Sequence, residues 1–211
     1  MKISKLSSFL IPKSTKGVTN GNKIMIVMHG LGDSMESYKV LTKEINVTGL
    51  NYLLLNAPKK YYFGFSWYDL PPSDPMIGIE SSSDLLLEII EEVKSQGFES
   101  EDIFLCGFSQ GGCIAMETFY KYQDTLGGVV ALSPRLYPKN IPIQFSETQK
   151  KTPFFMAHGR FDEVINFNET KSIIEDKLST ALEIEFHYYE MGHEIDPYEI
   201  LDLRNWLNDH L

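Results

Sequence analysis

The chain is 211 residues long, enough for one domain of ordinary size with a substantial core. Its hydrophobic fraction of 43% and charged fraction of 23% are those of a globular protein, not of a disordered or membrane-spanning one. A formal net charge of -10, from 29 acidic against 19 basic side chains, repels nucleic-acid phosphates and anionic lipid headgroups and argues against both as general partners.

The first thirteen residues mix lysine, serine and short apolar pieces, without the continuous apolar stretch of a secretory signal. No run approaches the ~20 apolar residues that a spanning helix needs, so no integral membrane association is expected and the expected location is cytoplasmic. Strand-like and helix-like segments then alternate, which predicts an α/β fold, a mostly parallel central sheet with helices on both faces. Residues 8–11 suit a leading edge strand and 15–22 a turn. Ile24, Met25, Ile26, Val27 and Met28 form a continuous apolar run, as a strand buried on both faces requires. A helix is expected to open at Asp33, which stands three residues before Glu36 in capping-box spacing. A strand follows at 51–55. The stretch 57–79 carries Pro58, Pro71, Pro72 and Pro75, several aromatics and no sustained period, and reads as one long ordered loop. Leu85, Leu86, Ile89, Ile90 and Val93 recur at helical spacing and predict a helix over 82–95, closed by Gly97. The remaining elements are expected as a strand at 102–106, a helix at 110–122, strands at 128–132 and 153–157, and a helix at 166–178. At 182–189, Leu182, Ile184, Phe186 and Tyr188 alternate with Glu183, Glu185, His187 and Tyr189, the pattern of a half-exposed strand near the sheet edge. The last helix is expected to open at Asp196, with Pro197 in its first turn and Glu199 three residues after the cap. No repeat, low-complexity segment or linker divides the chain, so 1–211 is expected to be a single domain.

Gly107-Phe108-Ser109-Gln110-Gly111 fits the pattern G-x-S-x-G. Alone the pattern is weak, but an apolar strand precedes it and a helix follows, the setting a nucleophile elbow requires. In such a turn the serine is strained and its hydroxyl stands over the sheet edge. The helix N-terminus then faces developing negative charge, with the Gln110 N–H as one oxyanion donor. Ser109 is the candidate nucleophile.

The partners must come later in the chain, acid before histidine. Of the five histidines, His29 and His158 end apolar strands, His29 lies upstream, His187 falls on the polar face of an alternating strand, and His210 is next to the C-terminus, where fraying is expected. His193 remains, in the loop between the last strand and the last helix, at the carboxyl end of the sheet where open α/β sheets build their sites. Asp162, in the loop after the 153–157 strand, is the candidate acid, with the adjacent Glu163 as its rival and Asp196 explained as a helix cap. A second oxyanion donor is sought in Met28-His29-Gly30-Leu31-Gly32-Asp33-Ser34, whose glycines let the backbone approach a carbonyl closely, with Leu31 preferred. Cys106 and Cys113 flank the serine and read as buried free thiols.

Together these residues resemble the acyl-protein thioesterase and carboxylesterase (phospholipase/carboxylesterase) family of the α/β-hydrolase fold. The matching pieces are HGLGDS at 29–34, SWYD at 66–69, GFSQGG at 107–112, the segment from His158 to Asp162, and MGHE at 191–194, in the right order over nearly the whole chain. The resemblance implies hydrolysis of esters or thioesters through an acyl-enzyme, without cofactor or metal. It supports Ser109, Asp162 and His193 as the triad and Leu31 and Gln110 as oxyanion donors. The chain departs from the family at Tyr61-Tyr62-Phe63-Gly64-Phe65, at the tyrosine of SWYD, and at Ser133-Pro134-Arg135. Phe65, Trp67, Tyr68 and Phe108 are expected to line an apolar wall for a small-molecule ester or acylated substrate, although any of the loop aromatics could instead pack beneath the loop. The apolar rim of such a cleft leaves a homodimer open. A non-catalytic ligand-binding protein on the same scaffold is the rival reading.

Overall fold

The computed structural model describes residues 4–13 and 23–211. Its centre is a seven-stranded sheet in the order β1-β3-β2-β6-β7-β8-β9. The strands are β1 (Ser8–Ile11), β2 (Lys23–Met28), β3 (Leu50–Leu55), β6 (Ile103–Phe108), β7 (Gly128–Leu132), β8 (Phe154–Gly159) and β9 (Ile184–Tyr189). All neighbours are parallel except β1, which runs antiparallel to β3 at the edge. The turn expected at 15–22 lies outside the described residues.

Period-two alternation divides the core into two layers. Ile24, Ile26, Ile103, Leu105, Val129, Ala131, Phe154 and Met156 face one side, where α2 (Pro75–Lys94) and α3 (Gln110–Lys121) pack. Met25, Val27, Phe104, Cys106, Val130, Leu132, Phe155 and Ala157 face the other, under α1 (Met35–Ile45) and α5 (Pro197–His210). Strands apolar at every position are therefore buried on both faces, as an α/β sheet demands. No helix among the described residues is long and apolar enough to cross a membrane.

Several boundaries differ from expectation. The cap of α1 is Ser34, whose side chain accepts from the Glu36 N–H, and not Asp33. Asp33 Oδ1 instead takes the Ser34 N–H at 2.7 Å and the Ser37 hydroxyl at 2.5 Å, so capping is shared one residue later than the spacing suggested. The stretch 57–79 is not one loop. It holds a hairpin of β4 (Lys59–Tyr61) and β5 (Gly64–Ser66), and α2 begins at Pro75 behind an Asp74 cap. Proline at the first helical position costs no hydrogen bond, which is why Pro75 opens the helix and does not exclude it. At its other end Ser95 is the cap, and Gly97 follows with φ of 95°. Residue 102 belongs to a short 3-10 turn before β6, and the strand runs on to Phe108. The helix expected at 166–178 is α4 (Phe167–Ile173), continued by a π turn at Ile174–Leu178. In β9 neither face is simply solvated: His187 stacks on Phe155 at 4.8 Å between centroids, while Phe186 stacks on Phe167. His210 is tied down, its Nδ1 donating to Trp206 O at 2.7 Å and its ring 4.4 Å from the Trp206 ring.

Candidate active site

Ser109 occupies the junction between β6 and α3. Its backbone, φ 55° and ψ −113°, is a conformation that L-residues adopt only when their surroundings impose it. The surroundings do so from both sides. The Ser109 N–H donates to Leu132 O of β7 at 2.9 Å, and its carbonyl accepts the Cys113 N–H at 3.0 Å, starting the helix. A Cβ on Gly107 would stand 2.2 Å from the Gly111 backbone, and one on Gly111 would stand 2.2 Å from Met28 O. The elbow is therefore as tight as its two glycines allow.

Three loops at the carboxyl ends of β6, β8 and β9 converge on the Ser109 hydroxyl. His193 Nε2 lies 2.9 Å from Ser109 Oγ, and His193 Nδ1 donates to Asp162 Oδ2 at 2.7 Å. The rival Glu163 is not part of this chain of contacts. Asp162 is buried, and its Oδ1 accepts the N–H groups of Val164 and Ile165, each at 2.8 Å. Burial would raise its carboxyl, but the Ile165 N–H, the His193 ring and the Val164 N–H outweigh that and hold it below the usual carboxylate range. An ionised Asp162 fixes the imidazole tautomer with Nδ1 protonated and Nε2 free to accept the serine proton. Phe108 packs on the His193 ring with centroids 4.8 Å apart.

The Leu31 and Gln110 N–H groups have no acceptor among the described residues, and both residues line the cleft above Ser109. The loop bearing Leu31 is braced from beneath. His29 donates from Nδ1 to Gly30 O at 2.6 Å and accepts the Ala57 N–H on Nε2 at 3.0 Å. Burial lowers its pKa, and with both nitrogens so used it stays a neutral bracket.

The cleft has a volume of about 320 Å³. Tyr68 and Phe108 line it, but Phe65 and Trp67 do not, which corrects the expected aromatic wall. Trp67 is fully buried, with Nε1 donating to His29 O at 2.9 Å, and the Phe65 backbone pairs with Gly32 and Asp33, so both sit behind the loop that bears Leu31. Further residues complete the site. His158 lies with Nε2 3.2 Å from Asp162 Oδ2 and 2.9 Å from Ile165 O, neutral because burial lowers its pKa. Arg135, Leu70, Val164 and Ile165 face the cleft. Cys106 and Cys113 are buried and free; burial pushes the Cys106 thiol up to about 12 and the Cys113 thiol higher still, so neither is a nucleophile at neutral pH. No group of three His, Cys, Asp or Glu among the described residues is placed to hold a metal ion.

Residues 14–211 match the sequence profile of the family described as Phospholipase/Carboxylesterase. The chain belongs to this family. Among the similar proteins, acyl-protein thioesterase 1 of Emericella nidulans is 31% identical over 233 residues, covering 95% of this chain and 93% of that protein. The crystal structure of SOBER1 from Arabidopsis thaliana aligns with a TM-score of 0.78 at 26% identity, covering 89% of this chain and 98% of that one. The carboxylesterase of Bacillus cereus has a TM-score of 0.83 at 15% identity, covering 99% and 96% respectively, and shares the fold. This phospholipase/carboxylesterase family member thus carries the α/β-hydrolase sheet, with its serine elbow after the central strand β6.

Proposed function

We propose that this chain hydrolyses carboxylic esters or thioesters by a serine mechanism, with Ser109 as nucleophile, His193 as general base and Asp162 as the acid that orients it. The reading rests on one observation, the unbroken hydrogen-bonded chain from Ser109 Oγ through His193 to Asp162 at 2.9 and 2.7 Å.

The proposed steps use these atoms. Ser109 Oγ attacks the scissile carbonyl while His193 Nε2 takes the hydroxyl proton. The carbonyl oxygen becomes an oxyanion and receives the Leu31 and Gln110 N–H groups, which no acceptor among the described residues occupies. His193 returns the proton to the departing alcohol or thiol, leaving an acyl-serine. Water, activated by the same imidazole, then releases the acid. A pure binding protein would have no use for a strained serine within reach of an oriented imidazole.

The substrate is proposed to be a small ester or an acylated molecule. The net charge of -10 disfavours nucleic acid as a partner. A cytoplasmic location, action as a single domain over 1–211 and activity without cofactor or metal belong to the same proposal, and a homodimer stays open to sedimentation analysis. Fluorophosphonate labelling tests the centre of the reading. Ser109 should be the modified residue, and Ser109→Ala should lower kcat on short 4-nitrophenyl esters by roughly 10⁴–10⁶-fold. Undiminished turnover by that variant would overturn it.

A further inference from the structure

The cleft contains a cation that the ester chemistry does not require. Arg135 follows β7, two residues after the strand's neighbour Ser133, and its companion Pro134 lies against Gly112 in the first turn of α3. The side chain is anchored from across the cleft, one guanidinium nitrogen donating to Val164 O at 3.1 Å. Val164 in turn gives its N–H to Asp162, so the guanidinium is held by the same loop that holds the acid. Its charge reaches the Tyr68 phenol in the wall of the cleft.

Arg135 makes no ion pair among the described residues, in a chain with 29 acidic side chains. Asp33, the carboxylate among the residues lining the cleft, is occupied by the Ser34 N–H and the Ser37 hydroxyl. A guanidinium offers five N–H donors in a fixed fork that matches a carboxylate. One of these is used on Val164, and the fork's remaining donors are left for a ligand. Leu31, Leu70, Phe108 and Val164 line the same cleft; Leu70 and Val164 are exposed at its mouth, so a ligand can reach the guanidinium from solvent and make a charge-assisted hydrogen bond there.

We propose that Arg135 is a specificity-determining residue that receives a carboxylate carried by the substrate, so that the cleft favours anionic half-esters or half-thioesters over neutral acyl compounds. The inference rests on the hydrolase reading above and deepens it. The carboxylate could belong to the acid part, as in a dicarboxylic acid monoester, or to the departing alcohol. In either case hydrolysis consumes one water and yields an acid and an alcohol, with the second carboxylate unchanged.

Two pairs of esters separate these sources. The first is 4-nitrophenyl hydrogen adipate against 4-nitrophenyl methyl adipate, with the charge on the acyl side. The second is 4-acetoxybenzoate against its methyl ester, with the charge on the leaving group. In at least one pair the wild-type kcat/KM should favour the anion by about 10-fold or more, the scale of a charge-assisted hydrogen bond. In Arg135→Gln that ratio should fall towards unity, and Arg135→Lys, which keeps the charge but loses the fork, should retain part of it. Because the readout is a ratio, any general loss from releasing the Val164 carbonyl cancels. Equal or better use of the neutral ester in both pairs by the wild type overturns the proposal, as does an unchanged ratio in Arg135→Gln. Fluorophosphonate labelling of Ser109 reports on the hydrolase reading separately, so a labelled enzyme that ignores charge sinks the role of Arg135 alone.

Discussion

Ser109 presents its hydroxyl to His193 through a backbone that only close neighbours can hold. Gly111 is the most sensitive of these, because its Cα faces the carbonyl of Met28 on β2, and backbone cannot move aside as a flexible side chain can. Gly111→Ala should therefore push α3 away from β2, lowering stability by at least ~1–3 kcal/mol and parting the Gln110 N–H from the Leu31 loop. Thermal unfolding and the rate of fluorophosphonate labelling should both fall; wild-type values for both would show that the contact is easily relieved. At this scale much was legible. Ser109 stood in a glycine-framed turn between a strand and a helix, and elimination among five histidines left His193. His158 was not legible as a neighbour of the acid, because its approach to Asp162 depends on how the 160–165 loop folds back under the strand end. Residue order marked Arg135 as a departure from the family pattern on the cleft side, but could not show that its guanidinium is held by Val164 O.

The segment around Ser66, Trp67 and Tyr68 shows what the elements contribute. The Gln110 side chain clamps it: Oε1 accepts the Trp67 N–H at 3.0 Å and lies 3.2 Å from Ser66 Oγ, while Nε2 donates to Tyr68 O at 2.9 Å. Gln110 thus joins α3 to the wall of the cleft through its side chain, which leaves its N–H for the proposed oxyanion role. Gln110→Ala keeps that N–H but strands buried polar groups, at ~1–3 kcal/mol for each one left unsatisfied. The melting temperature should drop, and KM should rise more than kcat falls as the Tyr68 wall loosens. A kcat loss with unchanged KM and stability would instead put the side chain in the chemistry. Aromatic content alone could not separate Tyr68, on the cleft, from Trp67, buried behind it. Trp67 and Tyr68 lie in the bend after β5, and their placement follows from the β4–β5 hairpin pairing with the 32–33 backbone. The same hairpin hid inside a proline-rich stretch with no period, as did the first two turns of α2.

The whole molecule is two apolar layers on one sheet, and that plan was readable because strands apolar at every position can only be buried on both faces. What the pattern could not reveal is a carboxyl group inside the layer under α1 and α5. Glu199 closes the capping box of α5, with Oε2 accepting the Asp196 N–H at 3.2 Å, yet it is fully buried and Oε1 has no hydrogen-bond partner among the described residues. Burial pushes its carboxyl up to about 8, against the Asp196 N–H and with help from the Asp196 charge. In the unfolded chain a glutamate titrates near ~4.3. Between these values the unfolded state gives up a proton that the folded state retains, so stability contributed by this group declines as pH rises from about 4.3 and levels off only above about 8. Glu199→Gln keeps the shape and an acceptor for the Asp196 N–H but cannot ionise. Its melting temperature relative to the wild type should therefore climb steadily from pH 5 to pH 8 and flatten beyond, measured by calorimetry at matched ionic strength. A difference that does not vary with pH would mean that water reaches the Glu199 carboxylate and that the layer beneath α5 is less dry than its apolar neighbours imply.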